Sequence, residues 1–118
     1  MEVMAEAIYK ICERAAWEEA RIEGTFRGSE ADLQDGFIHF STAAQLRDTA
    51  AKHFAGLIDL LLIAVDPNTL GDRLKWEISR GGDLFPHLYG PLPVAAVLWA
   101  EPLPLAPDGR HIFPEGLA

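Results

Sequence analysis

Three separated segments of the chain each carry polar side chains inside otherwise apolar surroundings. The residues concerned are His39, Ser41 and Thr42; Glu77, Ser79 and Arg80; and His87 and Tyr89. Imidazole and carboxylate groups titrate or change role when they are partly buried, and phenols both stack and form hydrogen bonds. Convergence of these segments in one cleft would therefore create a site for ligand binding or acid–base chemistry.

Each of these side chains also has a purely structural interpretation. A single histidine on a strand, such as His39, is often a hydrogen-bonded filler. Glu77 follows Trp76 and could be a solvated or ion-paired carboxylate. His87 and Tyr89 could stabilise a proline-rich turn.

Metal chemistry is a competing possibility, because His39, His87 and Glu77 could complete a three-ligand zinc site. The sequence contains no HExxH, CxxC or HxH cluster that fixes ligands at a defined spacing. It also lacks the GxSxG and phosphate-loop motifs of serine hydrolases and P-loop NTPases. We therefore predict no metal and keep a metal-dependent enzyme as the least favoured alternative.

The candidate residues fall on predicted strands and on one irregular stretch. Alternation over Phe37–Ser41 places His39 on the opposite face from Ile38 and Phe40. Alternation over Leu74–Ser79 places Glu77 opposite an apolar face that contains Trp76. The FPHLYGP segment, bounded by prolines, is predicted to be irregular.

The remaining pattern predicts an α+β domain. It indicates a strand at Ile8–Cys12, a helix that ends at Gly24, a helical turn at Ser29–Gln34 and a main helix at Ala43–Ala55 with a capping box of Thr42 and Gln45. LIDLLLIAV is typical of a central strand buried on both faces, and PVAAVLWA of a further buried strand. Residues 101–118 are predicted to form an extended proline-rich segment with a DG turn and an edge strand at His111–Phe113.

Composition and charge narrow the class of protein. The 118 residues are predicted to form one domain spanning 1–118, and 18 acidic against ten basic residues give a net charge of −8. This charge argues against nucleic acid as a bulk partner but leaves room for a small anionic ligand. The chain has neither a long apolar run nor a secretory signal, so we expect a cytoplasmic protein without a membrane partner. The lone Cys12 is expected to be a buried apolar residue.

Several motifs together resemble a known family. They are IYKI with a following W-E-x-A, DGFIHFST, KWE and FPHLYGPLP. This combination is similar to the uncharacterised bacterial and plant family called domain of unknown function 952, and the likeness spans nearly the whole chain. The family has no established activity to carry over.

The resemblance implies a fold like that of the ADP-ribosyltransferase group, whose members bind NAD between two small antiparallel sheets. By that resemblance, His39 with Ser41 and Thr42 would hold a ribose, Tyr89 would stack on nicotinamide and Glu77 would act near the scissile bond. The catalytic candidates are therefore His39 and Glu77, and the ligand-binding candidates are Ser41, Thr42, Arg80, His87 and Tyr89. The expected activity is NAD-dependent ADP-ribosyl transfer or processing of an NAD derivative.

A non-catalytic module that binds a small ligand or a protein on the same fold is the main alternative. The chain has no ExE or QxE pair of the kind that many protein-modifying transferases carry, and Glu77 precedes Tyr89. A binding protein could keep the cleft without the reaction.

Overall fold

The computed structural model describes residues 6–117, apart from the side chain of Arg80. Within this range the α-helices are α1 (Arg14–Glu23), α2 (Glu30–Asp35) and α3 (Ala43–His53). The strands are β1 (Ile8–Glu13), β2 (Thr25–Phe26), β3 (Ile38–His39), β4 (Leu60–Val65), β5 (Leu74–Ile78), β6 (Leu84–Leu88), β7 (Leu92–Pro93) and β8 (Val97–Leu103). These elements form an α+β fold with small antiparallel sheets.

The first three-stranded sheet has the order β1-β4-β8, with β4 in the middle. All six residues of β4 are buried, because α1 and the second sheet cover one face while α3 covers the other. This explains the uninterrupted apolar run and confirms the predicted central strand. The strand starts at Leu60, since Asp59 has a left-handed backbone with φ of 59° and Ile58 is exposed.

The second three-stranded sheet has the order β3-β6-β5 and carries the candidate residues. The prediction of an irregular FPHLYGP stretch was wrong, because Leu84–Leu88 forms the middle strand of this sheet. Pro86 lacks an N–H, but its carbonyl accepts a hydrogen bond from the Phe40 N–H at 3.0 Å. Because Pro86 has no N–H, it donates no hydrogen bond to the Phe40 carbonyl in return, and the β3 ladder ends at His39. The proline is thus accommodated where the neighbouring strand stops.

The faces of β5 follow the predicted alternation, but their burial does not. Trp76 is 47% exposed and Ile78 is 74% exposed, although both lie on the apolar face. Since β5 is an edge strand, its outer end extends beyond the packed layer. The prediction of a buried strand at PVAAVLWA was also wrong, because β8 begins only at Val97 and only Leu103 of its seven residues is fully buried.

Helix ends agree closely with their sequence signals. Gly24 ends α1 with φ of 86°, a conformation that glycine adopts without steric cost. Thr42 and Gln45 form the predicted capping box at the start of α3. Ser29 and Asp32 form another at the start of α2, so the predicted helical turn is a short helix.

The C-terminal part of the chain contains the predicted DG turn but a shorter strand pairing. The Gly109 N–H donates to the Ala106 carbonyl at 2.9 Å. Leu105 and His111 form one isolated bridge in place of the expected edge strand at His111–Phe113. The prediction of a strand there was wrong, because Ile112 instead donates its N–H to the Pro104 carbonyl. Among residues 6–117, no helix is long and apolar enough to span a bilayer.

Candidate functional site

His39 and His87 are directly opposite each other in the antiparallel pair of β3 and β6. Their side chains share one face, and their ring centroids are 5.6 Å apart with a nearly perpendicular arrangement of 71°. His39 is partly exposed, whereas His87 is only 5% exposed. The register of the second sheet thus brings together two of the predicted residues that lie 48 positions apart in the chain.

Glu77 and Tyr89 complete a hydrogen-bonded group around His87. The Nδ1 atom of His87 donates to Oε1 of Glu77 at 2.9 Å, and the Tyr89 hydroxyl donates to the same oxygen at 2.7 Å. The hydrogen bonds from Tyr89 and His87 lower the pKa of the Glu77 carboxyl, and the bond to Glu77 raises the pKa of the Tyr89 phenol. Glu77 therefore remains charged. Both of these hydrogen bonds use Oε1, and no described side chain bonds to the second oxygen, Oε2.

Phe37 joins these side chains into one aromatic surface. Its ring stacks on His87 with centroids 4.1 Å apart and planes at 27°. It also contacts the rings of His39 at 4.6 Å and Tyr89 at 5.3 Å. Phe37 had no predicted role, although strand alternation places it on the same face as His39.

A buried carboxylate of α2 holds His39 by hydrogen bonds. Asp32 is 2% exposed, and its Oδ1 atom accepts hydrogen bonds from Nδ1 of His39 at 2.6 Å and from the His39 backbone N–H at 3.1 Å. Its Oδ2 atom lies 2.8 Å from Nζ of Lys10, which is itself 7% exposed. Burial alone would raise the pKa of the Asp32 carboxyl, but the hydrogen bond from His39 and the charge of Lys10 outweigh burial and hold the pKa well below its usual range.

The second nitrogen of His39 also faces a carboxylate. Nε2 lies 2.9 Å from Oδ2 of Asp35, the last residue of α2. Both ring nitrogens can donate to these acceptors only when the imidazole carries two protons. A ligand hydroxyl that binds His39 at Nε2 must therefore displace the exposed Asp35 carboxylate.

Asp32 and Lys10 are site residues that sequence reasoning missed. The spacing of Ser29 and Asp32 matches a capping box, and this signal could have placed Asp32 at a fixed helix start beside the His39 strand. Lys10 interrupts the apolar run of β1, which is a weak sign of a buried partner. Neither signal indicates a contact with His39.

Two predicted ligand-binding residues, Ser41 and Thr42, are not part of this group, and the prediction for a third, Arg80, falls on a side chain that is not described. Ser41 is buried, and its hydroxyl lies 2.9 Å from the Thr49 hydroxyl. Thr42 uses its hydroxyl to accept the Gln45 N–H at the start of α3. The Arg80 side chain lies outside the described part of the structure.

Two cavities lie near the second sheet. A cavity of about 310 Å³ is lined by Phe37, Asp32, Arg27, Gly90 and neighbouring residues. Phe37 connects it to the aromatic group, but His39, Glu77, His87 and Tyr89 do not line it. A cavity of about 420 Å³ lies by the opposite face of β5, against Trp76, Leu74 and Thr42. In the described part of the chain, no three His, Cys, Asp or Glu side chains are arranged to hold a metal ion.

Comparison with known proteins identifies relatives of this chain. Residues 11–100 match the model of the family described as "Protein of unknown function (DUF952)". The crystal structure of protein CC0527 from Caulobacter crescentus is 51% identical, with a TM-score of 0.87 over 90% of this chain and 93% of that chain. The solution NMR structure of CC0527 is 52% identical, with a TM-score of 0.80 over 88% and 90% of the two chains. None of the curated proteins searched matches this chain.

Proposed function

The chain belongs to the DUF952 family, and we propose that the surface formed by His39, Glu77, His87 and Tyr89, called the cleft below, binds a nucleotide such as NAD for ADP-ribosyl transfer or a related cleavage. One observation supports this most strongly. His39, His87, Glu77 and Tyr89 share one face of the β3-β6-β5 sheet, with Phe37 stacked among them. Such a surface offers both hydrogen-bonding groups and aromatic faces to one ligand.

The arrangement of the sheets supports the finer fold assignment in this proposal. The β1-β4-β8 and β3-β6-β5 sheets are both small and antiparallel, and a bridge between Tyr9 and Ser41 connects their edges. A split pair of small sheets is the architecture expected of an ADP-ribosyltransferase-like protein. Because one fold can serve several functions, the proposal depends on the side chains more than on the sheets.

Glu77 is the proposed catalytic carboxylate. Cleavage of the bond between nicotinamide and ribose passes through a state in which positive charge develops on the sugar, as in glycoside hydrolysis. A carboxylate that stays charged stabilises this state and can also accept a ribose hydroxyl at Oε2. The hydrogen bonds from Tyr89 and His87 hold Glu77 in place for that role.

The aromatic and imidazole groups have complementary binding roles. Phe37 and Tyr89 provide ring faces for stacking on the nicotinamide or adenine. The Nδ1 atoms of His39 and His87 are bonded to Asp32 and Glu77, so each imidazole has only Nε2 left for a ribose hydroxyl, and binding at Nε2 of His39 requires Asp35 to move. Since Ser41 is already bonded to Thr49, this proposal gives Ser41 no ligand contact.

A titration with NAD and with ADP-ribose, monitored by amide NMR shifts, tests the binding step. We expect shifts confined to residues 37–42 and 76–89, where the cleft residues lie. Unchanged spectra at millimolar ligand would overturn the proposal. Shifts confined to β1 or β8 would also contradict the proposal, because those strands lie outside the proposed binding surface.

Release of nicotinamide tests the chemical step. We expect Glu77→Gln to slow release by roughly 100-fold or more, because the substitution removes charge stabilisation in the transition state. Glu101→Gln is the matched control, since Glu101 is an exposed carboxylate on β8 in the other sheet. Equal rates in both variants would exclude Glu77 as the catalytic group.

A non-catalytic ligand-binding module is the second candidate. It is favoured by Oε1 of Glu77, which already accepts hydrogen bonds from Tyr89 and His87 and is not free for substrate. In this case Glu77→Gln and His39→Ala change only the affinity for the nucleotide, and no nicotinamide is released by either variant or by the parent protein.

A further inference from the structure

Four basic side chains of this acidic protein have a carboxylate beside them. The described pairs are Lys10 with Asp32, Arg14 with Asp59, Arg21 with Glu18 and Lys52 with Asp48. Among the other described basic side chains, Arg47 lies over the Phe113 ring and Arg110 belongs to the C-terminal turn. This leaves Arg27, Arg73 and Lys75, which form neither a salt bridge nor a side-chain hydrogen bond with a described residue and lie beside the second sheet. These three unpaired cations are close to the proposed ligand cleft.

Lys75 extends the row of histidines across the second sheet. In the sheet register, His87 is opposite His39 on one side and opposite Lys75 on the other. Alternation places Lys75 on the same face as Glu77, two residues further along β5. The ammonium group is therefore near the carboxylate and imidazoles that are proposed to bind ribose.

Arg73 lies beside Gly90, which follows β6, and Arg27 lines the same cavity as Gly90. A Cβ atom at Gly90 would lie 3.1 Å from Cδ and 3.3 Å from Nη1 of Arg73, and the backbone there has φ of 155°. Glycine thus allows the guanidinium to lie against the main chain. Arg27 and Gly90 both line the cavity of about 310 Å³ that Phe37 also borders.

Arg27, Arg73 and Lys75 have no salt-bridge partner among the described residues, and a bound anion would supply one. Guanidinium groups donate paired hydrogen bonds that match phosphate oxygens, and an ammonium adds a compact positive charge. In a nucleotide the phosphates are attached to the ribose, so a ribose near His87 and Glu77 brings them toward these cations. Two linked phosphates reach further along Lys75, Gly90 and the adjoining cavity than a single phosphate does.

We propose that Arg27, Arg73 and Lys75 bind the diphosphate group of the ligand that occupies the cleft. This inference depends on the proposed function, because it names the part of the nucleotide that lies beyond the ribose. It selects diphosphate-containing nucleotides over nucleosides and over nicotinamide alone.

Binding of inorganic pyrophosphate tests this inference without a nucleotide. We expect amide shifts at Lys75, Gly90 and Arg27, and an affinity that falls as salt concentration rises. Arg73→Gln and Lys75→Gln should each weaken pyrophosphate binding roughly tenfold, since each removes one charge-assisted contact. Arg110→Gln is the matched control, because Arg110 is an exposed arginine of the C-terminal turn and lies outside the cleft.

The inference is wrong if pyrophosphate leaves the spectra unchanged, or if the two variants bind it as well as the Arg110→Gln control does. A comparison of ADP-ribose with adenosine separates this inference from the proposed function. Equal binding of both ligands in the cleft would support the function and overturn the diphosphate site. Binding of pyrophosphate with no shift from any nucleoside or nucleotide would support the anion site and overturn the function.

Discussion

Asp32 is the residue on which the geometry of the site depends most directly. Its two oxygen atoms accept hydrogen bonds from Lys10, His39 and the Ser29 backbone N–H. A carboxylate this deeply buried is stable only because each of these donors compensates for lost hydration. One side chain therefore fixes a helix start and the orientation of an imidazole together.

Replacement of Asp32 by asparagine should lower the free energy of unfolding by about 3 kcal/mol, because it leaves the buried Lys10 ammonium without a counter-charge. Urea denaturation measures this change. Asp35→Asn is the control, since Asp35 is exposed and should alter stability by less than about 1 kcal/mol. Similar losses in the two variants would contradict the role of the buried pair.

Cys12 should be unreactive in the folded protein. Burial raises the pKa of its thiol to about 11, and the side chain is 5% exposed. At pH 8 we expect a thiol reagent to label the native protein many times more slowly than the urea-unfolded protein, because both thiolate and access are lacking. Rapid labelling before unfolding would show that Cys12 is accessible.

The sequence predicted that four polar residues with apolar neighbours, His39, Glu77, His87 and Tyr89, would lie together. The structure brings these side chains together, while their chemical roles stay predictions. Phe37 and Asp32 were missed for different reasons. An aromatic residue on a strand is ordinarily read as core, and a contact between α2 and the β3 strand depends on the tertiary fold.

Elements position the site through their ends and their register. The capping boxes start α2 and α3 at fixed residues on either side of β3. Antiparallel pairing then sets His39 opposite His87, because a shift by one residue would turn His87 to the other face. Local helix signals and long-range strand register are both needed.

Thr42→Ala should destabilise the protein by about 1 kcal/mol, since the helix α3 loses a side-chain acceptor for the Gln45 N–H. Thr42→Ser retains the hydroxyl and should lose much less. Urea denaturation of both variants distinguishes capping from packing. An equal loss in the serine variant would indicate that the threonine methyl group matters instead.

Helix ends were predictable because their signals are local, whereas the sheet order was not. Capping residues and Gly24 gave α1 and α3 nearly correct bounds. The strand at Leu84–Leu88 was missed because a proline argues against a central strand until its neighbour is known to stop there. The apolar face of β5 was predicted correctly, but only the edge position of the strand explains why Trp76 is exposed.

At the level of the whole molecule, stability should depend on pH through Asp32. The folded-state pKa of this carboxyl is depressed below the unfolded value of about 3.9. The unfolded chain therefore binds a proton first as pH falls, so the stabilisation is complete above about pH 5 and is lost progressively below pH 4. Asp32→Asn should flatten this part of the stability profile in urea titrations between pH 6 and pH 3.

Parallel pH profiles of Asp32→Asn and the parent protein would contradict that assignment. In that event other carboxylates dominate acid unfolding. Asp35→Asn serves again as the control, because it should retain the steep decline of the parent protein.

The overall class of the protein was predictable from its composition and patterning. The mixture of helix and strand signals gave the α+β class, and the family motifs gave the family. Packing of β4 between two covered faces was predictable from its apolar run. The assembly of the site was not, since it arises from segments that meet only in the folded chain.

The central position of β4 also has a consequence for the folding rate. Its partners are remote in sequence: Ile8 pairs with Val65, and Leu60 pairs with Leu103. Two large loops must close before the first sheet is complete, so the contact order is high and the expected time for folding is in the range of milliseconds to seconds. During synthesis, β1 must wait with an unpaired edge until β4 has emerged from the ribosome, and β4 must then wait for β8.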